Sequence, residues 1–258
     1  MPEVTSHAPG TPSWFELSTT DEKGAMEFYS AIFGWVDDPQ PIYENWSYHM
    51  QKLNGLEAAA IYQQQAEERK LGVPPHWNTY FSVTNVDESV ARVQQAGGSL
   101  LFGPMDVFAA GRMAMLQDRQ GAAFAVWQAE GHIGCRVKGE PGAIMWNELM
   151  TSDQTDATEF YTGLLGLGSG SMEGPMEYTL LKVSGDDVAG VMQITEDMGP
   201  VPPNWMVYFG VANVDDTTSQ AEALGAIVLV PGTDIPGVGR FATIQDPQGA
   251  VFGMFTHA

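Results

Sequence analysis

The chain has 258 residues, 44% of them hydrophobic, and its 32 acidic against 11 basic residues give a net charge of −21. So negative a surface repels phosphate backbones, which sets nucleic acid aside as a partner, and the scattered acids read as a solubility device. No apolar run reaches the roughly 18 residues of a membrane span, and the opening MPEVTSHAPGTPSW lacks the basic-then-apolar order of a secretory leader.

In chain order, a strand is expected around 13–18, then a helix N-capped by Asp21. Ala25, Phe28, Ile32 and Phe33 recur at the three-to-four-residue spacing of a buried helix face, and Gly34 ends it. Strands follow at 47–53 and 57–63. TYFSV (79–83) is the next strand, Asp87 opens a helix with Val90 and Val93 inside, and GGSL closes it. Strands near 99–102, 112–117 and 122–128 complete the half, the last two joined by the tight-turn sequence DRQG. The stretch QAEGHIGCRVKGEPGA (128–143) is Gly-rich and has no period. It holds the single cysteine, Cys135, which excludes an intrachain disulfide and fits a reducing cytoplasm, the expected location.

The pattern then starts again. WFELSTTDEKGAMEFYSAIFG (14–34) returns as WNELMTSDQTDATEFYTGLLG (146–166), with ten of 21 positions identical. WNTYFSVTNVD (77–87) returns as WMVYFGVANVD (205–215) and GRMAMLQDRQGAAF (111–124) as GRFATIQDPQGAVF (239–252). Two copies indicate paired domains rather than a solenoid. We place them at 1–130 and 141–258, with a linker at 131–140. The unit is strand, helix, three strands, written four times. The expected class is α+β: in each domain two such units pair, their sheets curling around a cleft with the helices outside.

Four such units, with FYSAIFGW, FYTGLLGL and the terminal DPQGAVFGMF, resemble the vicinal oxygen chelate superfamily of glyoxalase I, bleomycin-resistance proteins and extradiol dioxygenases. The closer resemblance is to tandem-domain actinobacterial proteins known as Cfp30B antigens and hydroxylases, from about Gly10 to Phe255. It implies the fold, whereas one fold hosts many chemistries. It also implies where a metal would sit in members that use one: on the first strand of a unit, seven residues before the helix-opening Asp, and on the last strand, seven after the turn Asp. Here those registers give Trp14, Tyr80, Trp146 and Tyr208, and Ala125 and Gly253. None is a usual ligand of a divalent ion. No metal is therefore expected in either domain, and no cofactor, since no strand-GxGxxG-helix loop is present.

Alternation along the first strand puts Trp14, Glu16 and Ser18 on the cleft side, and Trp146, Glu148 and Met150 in the second copy. Tyr80 and Tyr208 join them from the partner strands. Aromatics thus replace the metal, and a carboxylate sits beside each. Desolvation among aromatics raises a carboxyl pKa toward neutrality, so Glu16 and Glu148 are candidate acid–base groups. Arg112 with Asp106 and Arg240 with Asp234 form a second duplicated pair, suited to a substrate carboxylate or an oxyanion. His76 is Asn204 in the other copy and is a further candidate for substrate contact. The structural alternatives are that the Glu residues bond backbone amides or pair with the Arg residues, that each Arg braces its hairpin, that the aromatics fill a closed core, and that His76 is a loop residue.

The leading expectation is a metal-independent enzyme acting on a small, partly apolar molecule, aromatic or carbonyl-bearing. Glu16 or Glu148 exchanges a proton in lyase, isomerase or hydrolase chemistry, with Arg112 or Arg240 stabilising charge. The alternative is a non-catalytic binder of the bleomycin-resistance type, its Trp-rich cleft stacking on a planar and by charge cationic ligand. A scaffold with self-filled clefts is the third reading. A monomer or homodimer is expected.

Overall fold

A computed structural model describes residues 3–44, 46–172 and 177–258. The first half runs β1 (Pro12–Thr19), α1 (Glu22–Phe33), β2 (Val36–Tyr43), β3 (Trp46–Leu53), β4 (Leu56–Gln63), a short α2 (Ala66–Lys70), β5 (His76–Ser82), α3 (Val86–Gln95), β6 (Ser99–Val107), β7 (Gly111–Gln117) and β8 (Ala123–Ala129). The second half repeats it with β9 (Ile144–Thr151), α4 (Gln154–Leu165), β10 (Gly168–Ser171), β11 (Tyr178–Val183), β12 (Asp186–Gln193), β13 (Asn204–Gly210), α5 (Val214–Ala223), β14 (Ile227–Ile235), β15 (Gly239–Gln245) and β16 (Val251–His257). A 3-10 turn (Glu196–Met198) takes the place of α2. None of the described helices is long and apolar enough to cross a membrane.

The two units of each half do not form separate sheets. They join at their first strands, β1 antiparallel to β5 and β9 antiparallel to β13, into one mixed eight-stranded sheet per half. The order is β2-β3-β4-β1-β5-β8-β7-β6, and the second sheet repeats it from β10 to β14. The long crossover inside each unit makes β1–β4 and β5–β8 parallel.

The helix ends follow from their caps. Asp21 accepts from the Gly24 amide and Gly34 closes α1 at φ 72°; Asp153 and Gly166 do the same for α4. In α3 and α5 the cap is Asn85 and Asn213, two residues before the expected Asp87. Asp87 and Asp215 then lie in the first turn, free for another partner.

All helices but α2 lie on one face of their sheet, and the two helix-bearing faces pack on each other. Trp77 meets Phe209 at 5.0 Å between ring centroids and Phe81 meets Trp205 at 4.9 Å. The turn aspartates tie this seam. Asp118 gathers the Gln120 and Ala122 amides and accepts from the Tyr161 hydroxyl of the other half at 3.0 Å. Asp246 gathers the amides of Gln248, Gly249 and Ala250 and accepts from Tyr29 at 2.9 Å. The expected tight turns are thus also domain fasteners. With the helix faces joined, the opposite face of each sheet points away from the seam. Between the sheets the linker docks on both: the Cys135 amide bonds Ser13 O and the Arg136 amide bonds Glu57 O, whereas Lys138 bridges to Ile144.

Candidate functional site

The strand alternation of β1 comes out as expected. Phe15 and Leu17 are buried toward the helices, and Trp14, Glu16 and Ser18 share the other face. There the side chains form a chain of donors. The Trp14 indole donates to the Tyr48 hydroxyl at 2.7 Å, Tyr48 donates to Glu16 Oε2 at 2.7 Å, and Tyr80 donates to Glu16 Oε1 at 2.6 Å. The second half repeats it: Trp146 to Tyr178 at 2.8 Å, Tyr178 to Glu148 Oε2 at 2.7 Å, Tyr208 to Glu148 Oε1 at 3.0 Å. Trp14, Glu16 and Tyr80, and Trp146, Glu148 and Tyr208, are therefore brought together. Tyr48 and Tyr178 complete each set and are not among the expected site residues. They come from β3 and β11, two strands away from the glutamate in sheet order.

The strands under these rings carry small residues. Glu16 pairs in register with Ala60 and Tyr80 with Ala125; Glu148 pairs with Gly190 and Tyr208 with Gly253. A Cβ on Gly190 lies 1.9 Å from the Tyr178 hydroxyl, and one on Gly253 2.1 Å from the Tyr208 ring, so these rings lie on bare backbone.

Both glutamates are 8% exposed, and among the described residues neither forms an ion pair. Burial raises the pKa of each carboxyl above its usual range, partly opposed by the phenol hydrogen bonds. Burial, then the nearby carboxylate, pushes the Tyr48, Tyr80, Tyr178 and Tyr208 hydroxyls well above their ordinary value. They remain protonated donors at any working pH.

Arg112 and Arg240 lie elsewhere, on the helix-bearing face. Arg112 grips Asp87 at the start of α3 through Nε and Nη2, both at 3.0 Å, and Asp106 on β6 at 2.7 Å. Arg240 holds Asp215 and Asp234 in the same way. The expected Asp–Arg pairs exist, yet as clamps of helix start to hairpin, with the sheet between them and the glutamates. His76 pairs with Ser18 at the edge of the cleft face, and its Nδ1 lies 2.8 Å from Pro74 O. Asn204 makes the matching bond to Pro202 O at 2.8 Å. The position thus fastens a turn in both halves, and no contact joins His76 to Glu16.

The sequence profile of the glyoxalase/bleomycin resistance protein/dioxygenase superfamily matches residues 11–126 and again 135–254. The chain belongs to this superfamily. It is 40% identical over 261 residues to the protein of Mycobacterium bovis named "Putative glyoxylase CFP32", covering 100% of this chain and 99% of that one. It is 34% identical over 270 residues to the anthracycline biosynthesis protein DauV of Streptomyces sp. (strain C5), covering 97% and 94%. Among solved structures, the Mn(II)-bound glyoxalase of Novosphingobium aromaticivorans superposes with a TM-score of 0.65 at 17% identity, covering 96% and 82%. The 2,3-dioxygenase LapB of Pseudomonas sp. KL28 gives 0.64 at 14%, covering 100% and 95%. These two likenesses are of fold.

Some members of the superfamily hold a divalent metal, as the Mn(II)-bound glyoxalase does, and the donor set can be tested against one. Trp14, Tyr80 and Ala125 are register neighbours on three adjacent strands, as are Trp146, Tyr208 and Gly253. These places offer no imidazole, thiolate or carboxylate. The one carboxylate beside each has both oxygens bonded to phenols. Among the described residues no group of three His, Cys, Asp or Glu side chains is placed to hold an ion. The residues do not fit the metal.

Proposed function

We propose that the chain is a metal-independent enzyme of the superfamily that moves a proton on a small, partly apolar molecule, with Glu148 or Glu16 as the acid–base group. The observation that carries this is the buried carboxyl held by two phenols, kept in both halves. A carboxyl raised by burial is a stronger base than an ordinary carboxylate, which suits it to exchange a proton with a bound molecule. The two tyrosines make the exchange reciprocal. While the glutamate is ionised they donate to it. When it takes a proton from a carbon next to a carbonyl, the C–H electron pair forms a C=C bond and the carbonyl π pair moves onto the oxygen. The glutamate then needs fewer donors, and a Tyr hydroxyl turns to the new oxyanion. In an α-hydroxy ketone, passage of the hydroxyl proton to the oxyanion and return of the carbon-bound proton to the former carbonyl carbon complete an isomerisation.

The test is proton exchange in D2O, followed by 1H NMR, over a panel of aromatic ketones and α-hydroxy ketones without added metal. Wild type is expected to exchange the α-proton of at least one compound. Glu16→Gln and Glu148→Gln together abolish exchange while line broadening still reports binding. Exchange that survives in the double variant, or that needs a metal ion, overturns the reading.

A second reading, binding without turnover, is favoured by the fact that both carboxylate oxygens already have partners. The aromatic walls and the relatives named for anthracycline biosynthesis support a planar ligand. The same experiment separates the two: binding with no exchange supports this one.

A further inference from the structure

The two clefts share the Trp–Tyr–Glu–Tyr frame and differ around it. By register, Ser18, Tyr62 and Asn78 lie beside Glu16, and Met150, Met192 and Met206 lie in the same places beside Glu148. Met113 and Trp127, paired across β7 and β8, become Phe241 and Phe255.

The first cleft is covered over Trp14 and at one end by its own chain. Glu68 of α2 accepts from Ser18 at 3.1 Å and from Tyr62 at 3.2 Å, which fastens the short helix over one end. From the linker, the His132 ring stands on Trp14 at 4.5 Å, and Trp127 donates to His132 O at 2.8 Å. Trp14 is left 4% exposed. In the second cleft Trp146, Met150 and Phe241 are partly exposed where Trp14, Ser18 and Met113 of the first are buried, and among the described residues no ring stands on Trp146. Its walls are thioethers and aromatic rings, which adapt to flat polarisable ligands and attract cations. Among the described residues Glu148 beneath them has no cationic partner, and the net charge of −21 draws cations to the surface.

We infer that the two copies are not equivalent: the second cleft is the ligand site and takes a planar aromatic cation, and the first is a closed structural copy. This rests on the reading that these faces receive small molecules. It adds which face does so, and the charge and shape of what enters.

The test is isothermal titration of the full chain with three flat tricyclic probes of similar size: 9-aminoacridine, a cation at neutral pH; acridine, uncharged; and anthracene-9-carboxylate, an anion. One equivalent of 9-aminoacridine is expected to bind, at least tenfold tighter than the carboxylate. Met206→Asn, which installs the first-cleft residue, lowers that affinity at least tenfold, and Asn78→Met in the first cleft leaves it unchanged. Thermal melts check that both variants are folded, and Glu148→Gln gives a second, shape-conserving reading of the charge preference. Two equivalents, or sensitivity to Asn78→Met rather than Met206→Asn, overturns the non-equivalence and leaves the proton-transfer reading standing. Tighter binding of the anion overturns the ligand class. No binding of any probe overturns the inference, and the D2O exchange experiment still decides the proposed function independently.

Discussion

Tyr80 donates its hydroxyl to Glu16 Oε1 across the β1–β5 pair at 2.6 Å, and Tyr208 repeats the bond to Glu148 at 3.0 Å. Removing a donor leaves a buried carboxylate oxygen short of a partner, which costs about 1–3 kcal/mol. Tyr80→Phe and Tyr208→Phe are each expected to lower stability by about that amount at neutral pH in urea denaturation. Both also drive the glutamate pKa further up, because the lost bond favoured the charged form. A loss that is the same at pH 4 as at pH 8 contradicts this, since the bond matters most to the ionised group.

The pH dependence has a definite sign. Burial holds Glu16 and Glu148 above the ordinary carboxyl value of 4.5. A carboxyl raised on folding gives its full stabilisation below the unfolded value and loses it as pH rises through the folded value. The stability of wild type relative to the Glu16→Gln, Glu148→Gln double variant is therefore expected to fall from about pH 4.5 upward and to level off once both groups are ionised. The glutamine amide preserves the frame by accepting from one tyrosine and donating to the other. Denaturation at half-unit pH steps gives the difference curve, and a flat or rising curve contradicts the assignment.

Arg112 and Arg240 each hold two aspartates on the helix face, well exposed to water. Exposed ion pairs are worth little, so Arg112→Ala is expected to leave the urea midpoint nearly unchanged. Ligand binding and proton exchange stay unchanged. Lost exchange in a folded Arg112→Ala variant places the arginine in the chemistry after all.

The repeat made the architecture legible, because a helix face such as Ala25, Phe28 and Phe33 and a strand such as Trp14 to Ser18 carry their periods in plain view. It also placed Trp14, Glu16 and Tyr80 on one face, since β1 and β5 alternate independently of their partners. Tyr48 was hidden because β3 reaches the site through β4, an order no local pattern states. One signal was available: Tyr48 and Tyr178 are each followed four residues later by Lys52 and Lys182 in otherwise different strands. The arginines misled for a related reason. Their Asp106 and Asp234 partners are near in sequence, but alternation along β7 puts Arg112 on the face opposite Met113, where the Asn85 cap frees Asp87 to meet it. His76 differs from Asn204 in type, and a shared bond to a proline carbonyl explains both.

The seam between the halves rests on Asp118 and Asp246, each buried and accepting two or three turn amides and one tyrosine. Asp246→Ala strands those amides and the Tyr29 hydroxyl, and is expected to cost about 3 kcal/mol. Tyr29→Phe removes the bond to Asp246 and the one Tyr29 accepts from the Trp77 indole at 3.1 Å, and is expected to cost about 1–3 kcal/mol. Because the fastener joins two sheets, Asp118→Ala with Asp246→Ala is expected to split urea unfolding into two transitions. A single transition with additive loss shows that the aromatic packing at Phe209 and Trp205 suffices to keep the halves coupled.

The metal-free reading makes the last prediction. A tetrahedral or octahedral ion needs about three protein donors converging within roughly 2.0–2.3 Å. In each cleft the carboxylate beside the register positions is the glutamate, and its oxygens face Tyr48 and Tyr80 or Tyr178 and Tyr208 instead, whereas Glu68 at the end of the first cleft is held by Ser18 and Tyr62. To bind an ion there, the glutamate must shed both phenols and find two further donors among tryptophan, alanine and glycine. Protein purified without chelator is therefore expected to carry far less than one equivalent of zinc, nickel, manganese or iron. Its melting temperature should be unmoved by EDTA or by addition of these ions. A stoichiometric ion lost together with thermal stability in Glu16→Gln or Glu148→Gln contradicts the donor argument at the level of the residue. It then requires the tyrosines to swing away from the carboxylate.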